Sequence, residues 1–359
     1  MHGEQPQVSV VMSVHDGARF LAPAVLGILG QTLQALEFIV VDDGSQDDSG
    51  AMLERVAACD PRLRLFRRPH AGLVGSLNFG CAQARGRYLA RMDADDIALP
   101  TRLAQQVAHL EAHPSLGVLG CAVEFIDAQD RPLPVERTLL GHARLMRALL
   151  AGTCPLVHPS VMMRRVLFEA VGGYRPGVPH AEDFDLWLRM GEVGGLDNLP
   201  QPLLRYRRHA QQVSIRHFRQ QALSNLAARA SAQARRSGRP DPLDGAVALD
   251  EQVLEALGIT PPQQARAFAR AALTSIRSLG DAGDIGAARS LLQALREADA
   301  RQPLAPDQRA DLRLAQARLD WQTGHPLQAA GACWRALLGR PRLALRPLKH
   351  RWGLGPHSP

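Results

Sequence analysis

The sequence predicts an α/β domain with parallel βαβ units, followed by an all-α region. Three observations carry that expectation. Short β-branched runs alternate through the first third with amphipathic stretches of about ten to fifteen residues, the pattern of strands joined by crossover helices. Acidic clusters stand directly after two of those runs, where an open parallel sheet binds its ligands. Past about residue 215 the strand-like runs cease, and Ala, Arg and Leu dominate.

Each element has its own signal. Residues 8–14 (Val-Ser-Val-Val-Met-Ser-Val) form a near-continuous β-branched run, as expected of a strand buried on both faces. His15-Asp16-Gly17 breaks it, and residues 18–29 show helical spacing through Phe20, Leu21, Val25, Leu26 and Leu29. Residues 38–41 (Phe-Ile-Val-Val) are a second strand, ended by Asp42-Asp43-Gly44-Ser45. Asp47 or Asp48 caps the helix expected to run to Cys59. Residues 63–66 read as a third strand, 72–84 as a helix and 87–92 as a fourth strand. Leu99-Pro100 opens another helix, with Pro at a tolerated first-turn position. A fifth strand is expected at 118–123, a short one near His158-Pro159-Ser160-Val161, a helix at 182–190 and a last strand at 203–206. Farther on, the turns around Gly283 and Gly324 look alike and lie 41 residues apart, between helical stretches. That spacing resembles helical-hairpin repeats of the tetratricopeptide type; a plain helical bundle is the alternative.

Composition bounds the rest. The 359 residues are 46% hydrophobic and 21% charged, values of a soluble globular protein large enough for two domains. The net charge of +7 is uneven: residues 1–210 carry 21 Arg against 23 acids, and residues 211–359 carry 21 basic residues against 12 acids. The surplus therefore belongs to the C-terminal part. It lacks the interleaved aromatics of a nucleic-acid module, so no nucleic acid is expected as partner. The five cysteines are scattered, with no Cys-x-x-Cys pair, which argues against a disulfide framework and against a zinc cluster and fits a reducing compartment. Residues 1–7 are polar, without the apolar segment of a signal peptide, and no apolar run approaches the roughly 20 residues of a membrane span.

The chemistry concentrates at Arg91-Met92-Asp93-Ala94-Asp95-Asp96, after the apolar Tyr88-Leu89-Ala90. Crowded carboxylates repel unless a cation lies between them, and an oxygen-only set suits Mg²⁺ or Mn²⁺, which in turn suit phosphates. Taken alone, Asp-Ala-Asp-Asp also fits an acidic turn or a helix start. Its company favours the metal reading: Asp42-Asp43 ends another strand, and Glu182-Asp183 opens a later helix.

Four stretches together resemble family 2 glycosyltransferases of the GT-A fold: residues 8–15, Phe38-Ile-Val-Val-Asp-Asp-Gly-Ser45, residues 84–96, and Glu182-Asp-Phe-Asp-Leu-Trp187. They occur in that family's order, and the resemblance covers roughly residues 7–210. It implies a mixed sheet flanked by helices and an inverting transfer of a sugar from a nucleoside diphosphate to a hydroxyl acceptor. It also implies roles. The first strand's end, Val14 and His15, with Asp42 or Asp43, would hold base and ribose. Asp93 would reach ribose or metal, and Asp95 would ligate Mg²⁺ or Mn²⁺. Asp96 would either join them or cap the next helix. Asp183 stands where the family places its general base, beside Glu182; helix capping is the alternative use of that pair, and a solvated face that of Asp185. His209 would be a late metal ligand or a surface histidine, and Arg207 and Arg208 would contact the diphosphate. His158 would line the acceptor side or make a structural hydrogen bond.

Two departures stand out: His15-Asp16 replaces the family's usual Tyr-Asn, and His70-Ala71-Gly72 replaces Asn-x-Gly. The division expected is a transferase domain at 1–214 and a helical extension at 215–359. The donor expected is a nucleotide sugar, with a uridine diphosphate sugar as first candidate, and the acceptor a saccharide or lipid-linked glycan in cell-surface polysaccharide or glycolipid synthesis. Work in the cytoplasm, at the inner face of the membrane, follows from such acceptors. The extension, ending in basic residues, Leu and Trp352, would make peripheral membrane or protein contact. Two rivals remain: a non-catalytic interaction protein acting through its helices, and a sugar nucleotidylyltransferase. The latter wants a Gly-rich loop and a basic catalytic residue near the N-terminus, and residues 8–25 hold no Lys and no Gly-x-Gly.

Overall fold

The computed structural model describes residues 5–134, 137–209, 217–281, 283–301 and 303–339; the basic C-terminal stretch 340–359 lies outside the described residues. The α/β part runs β1 (Val8–Val14), α1 (Ala18–Leu29), β2 (Leu36–Asp42), α2 (Ser49–Cys59), β3 (Leu63–Arg67), α3 (Gly72–Ala82), β4 (Tyr88–Met92), β5 (Ile97–Ala98), α4 (Arg102–Ala112) and β6 (Leu116–Ile126). Next come α5 (His142–Leu150), a 3₁₀ turn at His158–Ser160, β7 (Met162–Arg164), α6 (Arg165–Ala170), α7 (Glu182–Val193) and β8 (Gly195–Arg207). Helices α8 (Phe218–Arg236), α9 (Glu251–Ala256), α10 (Pro261–Asp281), α11 (Ile285–Arg301), α12 (Pro306–Gln322) and α13 (Pro326–Gly339) follow.

The eight strands make one sheet in the order β3-β2-β1-β4-β7-β6-β8-β5. The βαβ expectation holds for its first half, where β3, β2, β1 and β4 are parallel. Thereafter β7 runs antiparallel to both β4 and β6, β8 is parallel to β6, and β5 is antiparallel to β8. The sheet is therefore mixed. Along β1, Val8, Val10, Met12 and Val14 enter one apolar cluster, with Leu21 and Ile28 of α1 and Leu103 of α4. Val11 points the other way, into a second cluster with Leu77 of α3 and Trp187 of α7. Both faces are covered, which is why the strand reads as unbroken apolar sequence rather than as an alternation.

The last strand is longer than the 203–206 expected. Pro200 and Pro202 hide its first half, since Pro lacks the ladder N–H. The strand admits them through register shifts, Cys121 facing Leu199, Ala122 facing Pro202 and Val123 facing Leu204.

The described residues divide into two compact units: residues 1–208 with 224–259, and residues 209–223 with 260–359. This division differs from the break expected at 214/215, and the reason is packing. Ala227, Ala228 and Ala232 of α8, together with Leu243 and Ile259, are buried in the cluster that holds Trp187 and Phe184. Small side chains let α8 lie close, and nothing in an Ala-Arg-Leu sequence announces which helix does so. Asp241 fixes the same segment. Its carboxylate pairs with Arg175 (2.8 Å) and Arg235 (2.7 Å) and accepts from Ser231 Oγ (2.6 Å) and Leu243 N–H (3.0 Å).

The second unit has its own core, of Ala269, Ile276, Leu279, Leu292, Leu312 and Leu319 among others. Its two look-alike turns are the same structure. Gly283 and Gly324 both take positive φ, 79° and 76°. In each turn the N–H one residue on closes to a carbonyl five positions back, Asp284 to Leu279 and His325 to Asp320, a Schellman end that demands glycine.

Hydrogen bonds and two arginines hold the Asp241 pKa below the usual carboxylate range despite its burial. The folded state thus gains stability that is full above pH of about 4, the carboxylate's unfolded value, and is lost as pH falls toward the depressed folded value. Asp241→Ala should destabilise the α/β unit by about 2–4 kcal/mol, because it strands two partly buried guanidinium groups. Urea unfolding followed by circular dichroism measures this, and the wild-type advantage should shrink in acid. A variant as stable as wild type at pH 7 would show that Asp241 does not fasten the segment.

Candidate active site

The acidic run of β4 lies where the sheet order requires, at the carboxyl end of a central parallel strand. Asp93, Asp95 and Asp96 each offer a carboxylate oxygen within 4.8 Å of the other two. Asp96 is 1% exposed, and one of its oxygens has no hydrogen-bond partner. Burial, with the charges of Asp95 and Asp93, pushes Asp96 well above the carboxylate range. Burial raises Asp93 too, and Arg91 opposes that rise. A cluster that repels itself and keeps a buried lone pair unsatisfied fits a hard divalent cation, for which an all-oxygen donor set is suited.

Arg91 is the counterweight within the fold. Its guanidinium is buried and ion-paired to Asp93, with Nε still unpartnered. Arg207, the last residue of β8, supports the cluster from another side. Its N–H donates to Asp96 Oδ1 (2.8 Å), and its Nε–H donates to the Asp95 carbonyl (2.8 Å). Two expectations change here. Asp96 does not cap a helix, because α4 begins at Arg102 with Thr101 as its cap residue. Nor does Arg207 reach out to a diphosphate: it is 1% exposed and also donates to the Asp127 carbonyl and to Asp130. Arg208 stacks on Phe125 at 3.8 Å.

The Asp42-Asp43 pair sits at the end of β2 and is spent on loops. Asp42 accepts from Ser45 N–H (2.9 Å), closing the turn at Gly44, whose φ is +76°, and lies 3.5 Å from Arg67. Asp43 accepts from Ala71 N–H (2.8 Å), Gly72 N–H (3.0 Å) and Ser76 Oγ (2.7 Å), pinning the start of α3. Both carboxylates are nearly sealed, at 1% and 2% exposure. What stands above them is a pair of imidazoles. His15 and His70 have ring centroids 4.3 Å apart, and each Nδ1 meets the Asp43 carbonyl, at 2.9 and 3.1 Å. Their side chains are 42% and 61% exposed, so a flat ligand can reach them. Val14 is buried, and its carbonyl accepts from Asp43 N–H (2.8 Å).

The third acidic group opens α7. His180, two residues before the helix, holds a positive φ of 62°, a backbone state uncommon outside glycine. The acids that follow differ, because Asp183 accepts from Phe184 N–H (2.7 Å) in the first turn of the helix. Ala181 is the cap residue and makes no side-chain bond, and Glu182 is buried with one oxygen unpartnered. Burial, then the neighbouring Asp183, pushes Glu182 up to about 8. Burial also lifts Asp183 to about 6, against a hydrogen bond from Phe184 N–H and the charge of Arg91. Both members of the pair thus hold their protons to higher pH than an ordinary carboxylate. Both groups feel Asp93 and Arg91, which brings the start of α7 to the carboxylate cluster. Asp185, expected on a solvated face, is fully buried between Arg189 (2.7 Å) and Arg175 (3.6 Å).

His158 makes the structural bond that was its alternative, Nε2 to Tyr174 Oη at 2.8 Å. Burial and Arg91 hold it well below the usual histidine range, hence neutral. His209 is half-buried and is not a member of the converging carboxylate group. Sequence reading passed over Arg91 as a functional residue and misplaced Arg207. The one available signal was an arginine inside a strand otherwise made of apolar residues.

Comparison with known proteins gives the family and the fold. The model of glycosyl transferase family 2 matches residues 9–172. A putative glycosyltransferase of Bacillus subtilis, EpsE, is 33% identical over 59% of this chain and 77% of its own length. An uncharacterized glycosyltransferase of Haemophilus influenzae is 30% identical over 58% of this chain and 68% of its own. The Escherichia coli O-antigen biosynthesis glycosyltransferase WbnJ is 28% identical over 56% of this chain and 80% of its own. Among solved structures, the Pyrobaculum calidifontis mannosyltransferase PcManGT, in complex with GDP-Man and Mn²⁺, superposes with a TM-score of 0.51 at 21% identity, over 94% of this chain and 89% of that one. Staphylococcus aureus TarS in complex with UDP-GlcNAc gives 0.51 at 14% identity, over 92% and 91%. These likenesses bear out the expected fold.

The roles found for the β2 acids can be measured. Asp43→Ala should cost about 3 kcal/mol or more, since three donors, two of them backbone N–H groups, lose a buried charged acceptor. Asp42→Ala, which strands one backbone N–H, should cost clearly less. Denaturant titration of both variants tests the ranking, and equal losses would contradict it.

Proposed function

The chain belongs to glycosyl transferase family 2, and we propose that it moves a sugar from a nucleoside diphosphate to a hydroxyl acceptor with inversion at the anomeric carbon. One observation carries the reading: the carboxylates of Asp93, Asp95 and Asp96 gather within 4.8 Å of one another, and the burial-raised acids Glu182 and Asp183 lie near enough to feel the charges of Asp93 and Arg91. Solved structures of similar fold hold GDP-Man with Mn²⁺, UDP, or UDP-GlcNAc, which supports a nucleotide-sugar donor, a uridine diphosphate sugar first.

Each residue has a part. Asp95 and Asp93 would hold Mg²⁺ or Mn²⁺, with the orphan oxygen of Asp96 facing the same group. When bound, the cation neutralises charge on the diphosphate leaving group. His15 and His70, tilted against each other and exposed, offer imidazole surface to the base, and Val14, Asp42 and Asp43 shape the loops around it. Asp183, ionised at neutral pH, takes the proton of the acceptor hydroxyl as that oxygen attacks the anomeric carbon. Glu182, buried beside it and raised in the same way, shares the pair's high proton affinity. Attack opposite the leaving group inverts the centre.

The O-antigen relative supports a saccharide or lipid-linked acceptor in cell-surface polysaccharide synthesis, with work at the cytoplasmic face of the membrane. Among the described residues no helix is long and apolar enough to cross a membrane. Nucleoside diphosphate release, measured over a panel of nucleotide sugars, tests the donor class directly.

Two outcomes follow. Asp95→Ala should abolish turnover and remove the metal dependence of nucleotide binding; calorimetry showing the same uridine diphosphate affinity with Mn²⁺ and with chelator in wild type would sink the metal assignment. Asp183→Asn is nearly isosteric and cannot accept a proton, so transfer should fall about 10²–10⁴-fold while donor binding persists. In wild type the rate should climb with pH through about 6, as Asp183 loses its proton, and level off above. A flat profile from pH 5 to 7.5 would move the base elsewhere.

A further inference from the structure

We propose that the helical unit carries a second, separate site, which binds the phosphate headgroup of an anionic lipid. Helices α11, α12 and α13 frame a groove of about 290 Å³ lined by Arg296, Arg309, Arg313 and Arg335, against the single carboxylate Asp299. Leu312 and Ala332, both buried, also line it. All of these residues lie within one compact unit.

The arginines are under-compensated. Arg309 spends its Nε–H on Asp299 (3.0 Å), and Arg313 spends one N–H on the Arg335 carbonyl (2.7 Å). Their remaining N–H groups are left over. Arg296 and Arg335 are exposed and make no ion pair among the described residues. Arg309 and Arg313 are four apart on one helix, where like charges repel. Two arginines outside the groove do meet acids: Arg318 pairs with Asp281, and Arg289 lies 3.8 Å from Asp320. A concave site lined by one sign concentrates the opposite ion, and guanidinium forks match phosphate oxygens.

Size and surroundings narrow the ligand. A volume of about 290 Å³ lies at the lower edge of small-molecule sites, which suits one phosphate headgroup rather than a whole nucleotide sugar. Trp334 and Leu338, 64% and 66% exposed, flank Arg335 on α13, Leu338 one helical turn along the same face. Apolar side chains beside an anion site fit an amphiphile, and they favour a lipid over a free phosphate.

The site stands apart from the transferase reading, so its test needs no turnover. Full-length protein would be sedimented with phosphatidylcholine vesicles, with and without phosphatidylglycerol. Alongside it would go Arg296→Gln/Arg335→Gln, Arg296→Lys/Arg335→Lys, and a chain ended after Gly339, which removes the basic tail. The anionic vesicles should capture wild type and the shortened chain. The glutamine pair should bind about thirtyfold more weakly, the expected worth of two basic residues at a membrane surface. The lysine pair should recover most of that loss, which a merely structural role would not allow. Capture that survives the glutamine pair, or that vanishes with the tail alone, would overturn the site. Calorimetry with inorganic pyrophosphate in chelator distinguishes the source: arginine-dependent binding of pyrophosphate without vesicle capture would overturn the lipid assignment in favour of a free anion.

Discussion

Three carboxylates at the end of one short strand set the terms for the surrounding structure. Asp93, Asp95 and Asp96 converge, and burial raises the cost of negative charge on Asp93 and Asp96. An uncompensated buried carboxylate costs several kcal/mol, so the fold must answer it. It does so with Arg91 beneath the cluster, paired to Asp93, and with Arg207, whose N–H and Nε–H hold Asp96 and the Asp95 carbonyl. The second support explains part of the sheet. A mixed sheet in which β8 ends beside the β4–β5 loop brings residue 207 to residue 96 across a sequence separation of 111. The compensation is incomplete, because one Asp96 oxygen stays without a hydrogen-bond partner. A site that is neutralised enough to fold and under-neutralised enough to take a cation has to sit between those limits.

The other acidic pairs show that the same residue type does different work according to burial and partners. Asp42 and Asp43 are sealed and hydrogen-bonded to loop N–H groups, so they act by shaping the Gly44 turn and the start of α3. The surfaces left for a base are the imidazoles of His15 and His70, held by the Asp43 carbonyl. Glu182 is buried with one oxygen unpartnered, Asp183 beside it accepts from Phe184 N–H alone, and the proton affinities of both rise. Asp185, one helical turn from Arg189, is buried as deeply, yet it is paired on both sides and serves packing. The nearness of guanidinium groups separates the structural Asp185 from Glu182.

That logic also marks what the sequence discloses. The strands β1, β2 and β4 were legible because both faces of the sheet are covered, leaving unbroken apolar runs. The acidic ends were legible because strand ends face the crevice. The first half of β8 was not, since two prolines mask a strand that only a bulged partner admits. The place of residues 224–259 was not, since alanines mark a close helix contact without saying with what. Arg91 and Arg207 were misjudged for a related reason: an arginine reads as surface charge until a distant carboxylate is known to lie against it.

Charge in the helical unit obeys the same principle with the sign reversed. An arginine-rich composition by itself predicts guanidinium groups scattered over solvated faces, each free or paired with whatever acid lies near. Arg289 and Arg318 fit that description, being placed beside Asp320 and Asp281. Arg296, Arg309, Arg313 and Arg335 do not, because three helices direct them to one groove and supply a single carboxylate. Helix packing alone offers no reason to assemble like charges, which oppose it. The repulsion in the groove is the mirror image of that among the β4 aspartates, and in both places a concave cluster of one sign is most simply stabilised by a ligand of the other.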